Sequence, residues 1–99
     1  MLLIREIMYC KPGKVRPMVE KFLAMKKLGQ AKGMASMRVL TDLSSERYWT
    51  VISEIEVESL EKFMAMGQDA EEMKAMGKIM EGYHDLVDHG RREIYTIEG

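Results

Sequence analysis

Two runs of alternating character, Met34 to Asp42 and Arg47 to Val57, flank a short polar turn at Leu43 to Glu46, and this pattern predicts a β-hairpin. In the second run Trp49, Val51, Ile55 and Val57 share one parity, while Tyr48, Thr50, Ile52, Glu54 and Glu56 share the other. A period of two marks a strand whose faces meet different surroundings, yet neither face here is purely polar. The opening run, Leu2 to Tyr9, places Leu2, Ile4 and Met8 at one parity and Leu3, Ile7 and Tyr9 at the other. Apolar groups on both faces predict a central strand.

Between these strands the period changes. Lys11, Pro12 and Gly13 break the first strand, and from Lys14 the residues Val15, Met18, Val19, Phe22, Met25 and Leu28 recur at spacings of three and four, one apolar stripe of a helix. Pro17 falls within its first turns, where a missing N–H is tolerated. The helix should fade across Gly29 to Gly33. After the hairpin, Glu58 and Ser59 open a second helical stretch with Leu60, Phe63 and Met64 as its buried residues, and Gly67 interrupts it. Asp69 followed by Glu72 has the form of a capping box, so a new segment should start there, with Met73, Met76, Met80 and Tyr83 as its stripe and Gly82 as its stop. Tyr83 to Gly90 reads as a polar, turning connector. Arg91 to Glu98 reads as the last strand.

The order β, α, β, β, α, β is that of the ferredoxin-like α+β sandwich, a four-stranded antiparallel sheet with both helices on one face. The opposite face is then bare, although each strand also offers it large apolar groups. Burying one such side chain is worth roughly 1.5 to 3 kcal/mol, so a second copy of the sheet is the simplest cover, and a homodimer is expected. Parity alone leaves open which face meets the helices.

Composition narrows the function. The 99 residues make one domain, 1–99, and 15 basic against 16 acidic residues leave a net charge of -1 with no long run of one sign. Nucleic acid and acidic membrane surfaces are therefore not expected partners. Arg5 and Glu6 interrupt the apolar opening and no small-residue cleavage site follows, which favours a strand of a cytoplasmic protein over a signal peptide. A single cysteine, Cys10, cannot form an internal disulfide, and with only two histidines no metal site is expected.

The chain resembles the dimeric α/β-barrel superfamily, and within it the small antibiotic-biosynthesis-monooxygenase-like and NIPSNAP-like proteins. The resemblance rests on the element order and three stretches: Lys11 to Lys14, the run Glu54 to Phe63, and Gly90 to Tyr95. It implies two ferredoxin-like subunits packed sheet against sheet, each enclosing a cleft. It also implies an activity range running from cofactor-independent oxygenases and haem degraders through small decarboxylases or isomerases to proteins with no known activity. Several oxygenases and the haem degraders of that superfamily carry a tryptophan near the position of Val57, and the haem degraders a histidine near that of Met76. Here the sole tryptophan is Trp49 and no histidine stands at Met76, which argues against haem degradation.

His84, Asp85, Asp88 and His89 form the densest polar constellation, and in a helix His84 would face Asp88 and Asp85 would face His89. The plainer reading is a solvated connector. The eleven methionines, concentrated at Met64, Met66, Met73, Met76 and Met80, suit core filling or an adaptable pocket. Cys10 has no neighbouring base to activate it. Glu6, Arg38, Tyr48 and Glu54 are strand residues able to point into a cleft.

With no glycine-rich dinucleotide fingerprint, phosphate loop, or haem or flavin ligand set, no cofactor is expected, and catalysis would rest on acid–base groups. Glu54, Glu6 and His84 are the catalytic candidates, and Tyr48, Arg38, Ile52 and Met76 the ligand-binding ones. The leading expectation is a homodimer that holds a small, largely apolar organic molecule between sheet and helices, with turnover as a cofactor-independent oxygenase or isomerase left open. The alternative is a non-catalytic ligand-binding or stress-related module.

Overall fold

A computed structural model describes all 99 residues, Met1 to Gly99. The chain runs β1 (Leu2–Cys10), α1 (Val15–Ala31), β2 (Met37–Thr41), β3 (Thr50–Val57), α2 (Leu60–Ala65), α3 (Ala70–Met80), a 3-10 turn (Tyr83–Asp85) and β4 (Val87–Thr96). The strands form one antiparallel sheet in the order β2-β3-β1-β4. The expected βαββαβ order and α+β class are therefore present, and the opening strand is central as its two apolar faces require.

Packing decides which face the helices cover. Met18, Val19 and Phe22 of α1 are buried with Cys10, Val51 and Val87, and Met8 and Val39 pack against the same cluster. The helix-side face thus takes Ile4, Glu6, Met8 and Cys10 from β1, with Val51 and Ser53 from β3. Leu3, Arg5, Ile7 and Tyr9 fall on the outer face with Arg38, Leu40, Ile52 and Glu54.

The helix signals act where expected. Glycines with positive φ close the turns at Gly13, Gly33, Gly67 and Gly82. Gly67 is the most constrained: a Cβ there would lie 2.6 Å from the Met76 methyl. The Ser59 side chain accepts the Lys62 N–H, and that of Asp69 accepts the Glu72 N–H. Lys21 on α1 donates to the carbonyls of Ile79 and Glu81, satisfying orphan acceptors at the end of α3.

Three expectations are corrected. The hairpin strands are shorter, beginning at Met37 and Thr50, with residues 42–49 as their connection. Alternation continues through Tyr48 and Trp49, but the Asp42 carboxylate accepts the Thr50 N–H at 2.9 Å and the Thr50 hydroxyl donates to the Arg47 carbonyl at 2.8 Å. Those local bonds turn the chain before the strand begins. The last strand starts at Val87, four residues before Arg91, because an edge strand can leave Asp88 and His89 in solvent while its backbone pairs with β1. His84 and Asp88 accordingly do not share a helix. Finally, Leu60, Met64 and Met73 are exposed and neither α2 nor α3 holds a fully buried residue, since α1 supplies the helical part of the core.

Cys10 is 3% exposed, and burial, reinforced by the nearby Asp42 and Asp88 carboxylates, pushes its thiol pKa up. A raised thiol pKa leaves little thiolate near neutrality. A disulfide-exchange reagent should therefore label native protein far more slowly than denatured protein; comparable rates in the two states would contradict this.

Candidate functional site

Each face of the sheet carries one polar row at right angles to the strands. On the outer face the register aligns Arg38, Glu54, Arg5 and Glu93 across β2, β3, β1 and β4. The Glu54 side chain is 3% exposed and both of its oxygens are engaged: Oε2 accepts from Arg5 Nε at 2.8 Å and Oε1 from Arg38. Arg5 also lies 3.5 Å from Glu93. On the helix side the corresponding row starts at the apolar Val39 and is polar from Ser53 through Glu6 to Arg92, and Arg92 donates to Glu6.

The helix-side row opens into a cleft. A cavity of about 420 Å³ lies between the start of β4 and the 3-10 turn, lined by Glu6, Met8, Arg92, Tyr83, His84 and Val87, with Asp88 to Arg91 at its rim. Glu6 and Arg92 form its floor. The Arg92 guanidinium rests 5.0 Å from the Phe63 ring of α2, which leaves it one aromatic and one carboxylate partner. His84 lies against Tyr83 with ring centroids 4.0 Å apart. Gly90 is required beside this floor, because a Cβ there would meet the Met8 sulfur at 2.8 Å and the Ile7 carbonyl at 3.0 Å.

The structure therefore brings two of the sequence candidates, Glu6 and His84, to one cleft. Glu54, Arg38 and Ile52 lie on the opposite face, where Glu54 and Arg38 border a separate concavity with Leu3, Ile55 and Glu56. Tyr48 stands in the hairpin connection, 84% exposed, and Met76 packs over Gly67 on α3. Arg92, Arg5 and Glu93 were not legible as site residues. Pairing Glu6 with Arg92 needs the β1–β4 register, which joins residues at opposite ends of the chain. No group of three His, Cys, Asp or Glu side chains is arranged to hold a metal ion.

No family model and no curated protein matches the sequence. Solved structures do match. An uncharacterised NIPSNAP domain protein from Burkholderia xenovorans superposes with a TM-score of 0.69 at 15% identity, covering 98% of this chain and 94% of that one. An antibiotic-biosynthesis-monooxygenase-like protein from Nitrosomonas europaea gives 0.73 at 11% identity, with 100% of both chains covered. A protein from Bacteroides fragilis, described as dimeric, of unknown function and of ferredoxin-like fold, gives 0.62 at 14% identity over 97% and 96% of the two chains. The fold is ferredoxin-like. Identities this low speak for the fold alone, so in this ferredoxin-like sandwich the chemistry must be read from its own side chains.

On the outer face Glu93 is held below the usual carboxylate range by the Tyr95 hydroxyl, which donates to it at 2.8 Å, and by Arg91 and Arg5. The same bond raises the Tyr95 phenol. A depressed folded pKa makes the Glu93 contribution complete above the ordinary carboxylate range and lost as pH falls through it. The raised phenol acts at the other end, its contribution being lost as pH rises past the ordinary tyrosine value. An ultraviolet titration should find one phenol ionising late, absent in Tyr95→Phe and returned toward normal in Glu93→Gln; an unchanged late phase in Glu93→Gln would refute the assignment.

Proposed function

We propose that this chain is a homodimeric α/β-barrel protein that holds a small organic molecule in the Glu6–Arg92–His84 cleft of each copy. The observation that carries the proposal is the meeting of Glu6, from the first strand, with His84 and Arg92, from the end of the chain, in one cavity beside Met8, Tyr83 and Val87. A carboxylate, an imidazole and a guanidinium around a partly apolar cavity suit a ligand with a small apolar body and one acidic or phenolic group. Arg92 would orient the acidic group, and Glu6 and His84 would accept and return a proton, the work of a cofactor-independent oxygenase or isomerase. The ligand is then less apolar than the strand pattern alone suggests, because most of the cleft lining is polar.

A non-catalytic binding module is the second reading. It is favoured by the Glu6–Arg92 ion pair, since a carboxylate already engaged by a guanidinium serves recognition without any proton transfer. The test is to screen purified protein against phenols, quinones and enolisable acids, with and without oxygen, and to repeat it with Glu6→Gln, His84→Ala and Glu54→Gln. Turnover should fall by roughly 10²-fold or more in the first two. In Glu54→Gln the leading effect should be lower thermal stability, from two arginines deprived of a buried anion. Turnover that survives both Glu6→Gln and His84→Ala would remove the acid–base role, and ligand binding without turnover would favour the binding module.

The dimer is supported by the outer face, where Leu40, 37% exposed, and the half-buried Leu3 and Ile52 flank the ionic row with no helix of the same chain over them. The Bacteroides fragilis structure is described as dimeric, which agrees. Light scattering at micromolar concentration should give twice the chain mass, and Ile52→Asp should give the monomer mass, because a charge without a partner at a dry interface costs several kcal/mol. A monomer mass for the unaltered chain would remove this part of the proposal.

A further inference from the structure

The hairpin connection and the start of α1 enclose a second concavity of about 360 Å³, lined by Val15, Thr41, Asp42, Tyr48 and Trp49. It shares no residue with the Glu6 cleft. Three observations bear on this place.

The first concerns two aromatic side chains that the core does not use. Tyr48 is 84% exposed and Trp49 43%. Trp49 is also the only residue other than glycine with a positive φ, 64°. A residue with a Cβ is disfavoured there, and such outliers persist where the surrounding structure holds them, often at ligand sites. The second is the Asp42 carboxylate. Its Oδ1 accepts the Thr50 N–H at 2.9 Å, yet none of the ion pairs in the molecule involves it. The third is the position of Arg47, the one basic residue of the connection. Its guanidinium is drawn to the outer face, 4.6 Å from the Tyr9 ring centroid, 3.2 Å from His89 Nε2 and 4.0 Å from Asp88. The two cations nearest Asp42 in sequence are thus engaged elsewhere, Arg47 here and Arg38 with Glu54, and no Lys or Arg lines the concavity.

We propose that this concavity binds a small organic ammonium ion. The anionic Asp42 supplies the opposite charge, and the electron-rich faces of Tyr48 and Trp49 attract a cation with apolar substituents. The Val15 side chain adds an apolar contact. A bare metal ion is not the expected occupant, because Asp42 and Thr41 are the only side chains in the lining with carboxylate or aliphatic hydroxyl oxygens, too few to replace a hydration shell.

Trp49 is the sole tryptophan and so reports on its own site. Full-length protein is titrated with tetramethylammonium and with choline, against sodium chloride at equal ionic strength and against the uncharged isostere of choline in which carbon replaces nitrogen. Calorimetry alongside registers any binding that leaves the emission unchanged. Both ammonium ions should bind saturably, and the isostere at least about fivefold more weakly, as expected when a cation–π and charge contribution is lost. Asp42→Asn keeps the oxygen that accepts the Thr50 N–H and should weaken ammonium binding by about fivefold or more, with Tyr48→Ala in the same direction. If circular dichroism shows that Asp42→Asn has lost its fold, Tyr48→Ala, at an exposed position, decides the matter. Equal affinity for the isostere, undiminished binding in the folded variants, or no saturable binding by either method would overturn the proposal.

Discussion

Every other element takes its place from β1, which is hydrogen-bonded along both edges, to β3 on one side and to β4 on the other. Pairing on both edges satisfies the strand's backbone donors and acceptors, so it can lie in the interior without cost. Its side chains then leave alternately into two environments. Ile4, Met8 and Cys10 lie on the helix side, while Leu3, Ile7 and Tyr9 lie on the outer face, where Tyr9 is buried under Arg47 and beside His89. The bulge between Tyr9 and Cys10 adds one residue of β4 at the end of this pairing and places Asp88 at the rim of the cleft.

Because side chains alternate with a period of two, slipping one strand by one residue would move its whole apolar set to the wrong face. The row Arg38, Glu54, Arg5 and Glu93 adds a second restraint, alternating in sign across all four strands. Taking Glu54 out of water is costly, and two guanidiniums largely offset that cost rather than adding much stability. Its main effect is on specificity. A slipped register would leave a buried carboxylate facing an apolar neighbour, which raises the energy of the alternative more than it lowers that of the native pairing.

The two faces divide structural and chemical roles. On the outer face the charges are matched to one another, with an arginine on each oxygen of Glu54. On the helix side the Glu6–Arg92 pair lies near the sheet edge, where β4 has no further strand beside it and only the 3-10 turn and α2 approach. Cover is thinnest there, because α1 lies over β2 and β3 while α2 and α3 hold no fully buried residue. A cleft forms where the sandwich is incompletely filled, and the polar groups that border it are those the incomplete core could not exclude.

Local sequence determined the element order, the central place of the first strand, the stripe of α1 and the cap at Asp69, because each rests on spacings of two to four residues. The expectation of a cleft came from the family resemblance and not from these spacings. Tertiary structure decided what depends on register and on competition between local bonds. Asp42 and Thr50 end the hairpin strands early through side-chain contacts that alternation cannot reveal. The core packing of α1 against Val51 and Cys10 chose the helix-side face, and with it sent Glu6 toward the helices and Glu54 away from them. Arg92 could not be read as the partner of Glu6 because their contact joins opposite ends of the chain across the sheet. Charge and periodicity are properties of neighbours along the chain; the identity of a site depends on neighbours across the sheet.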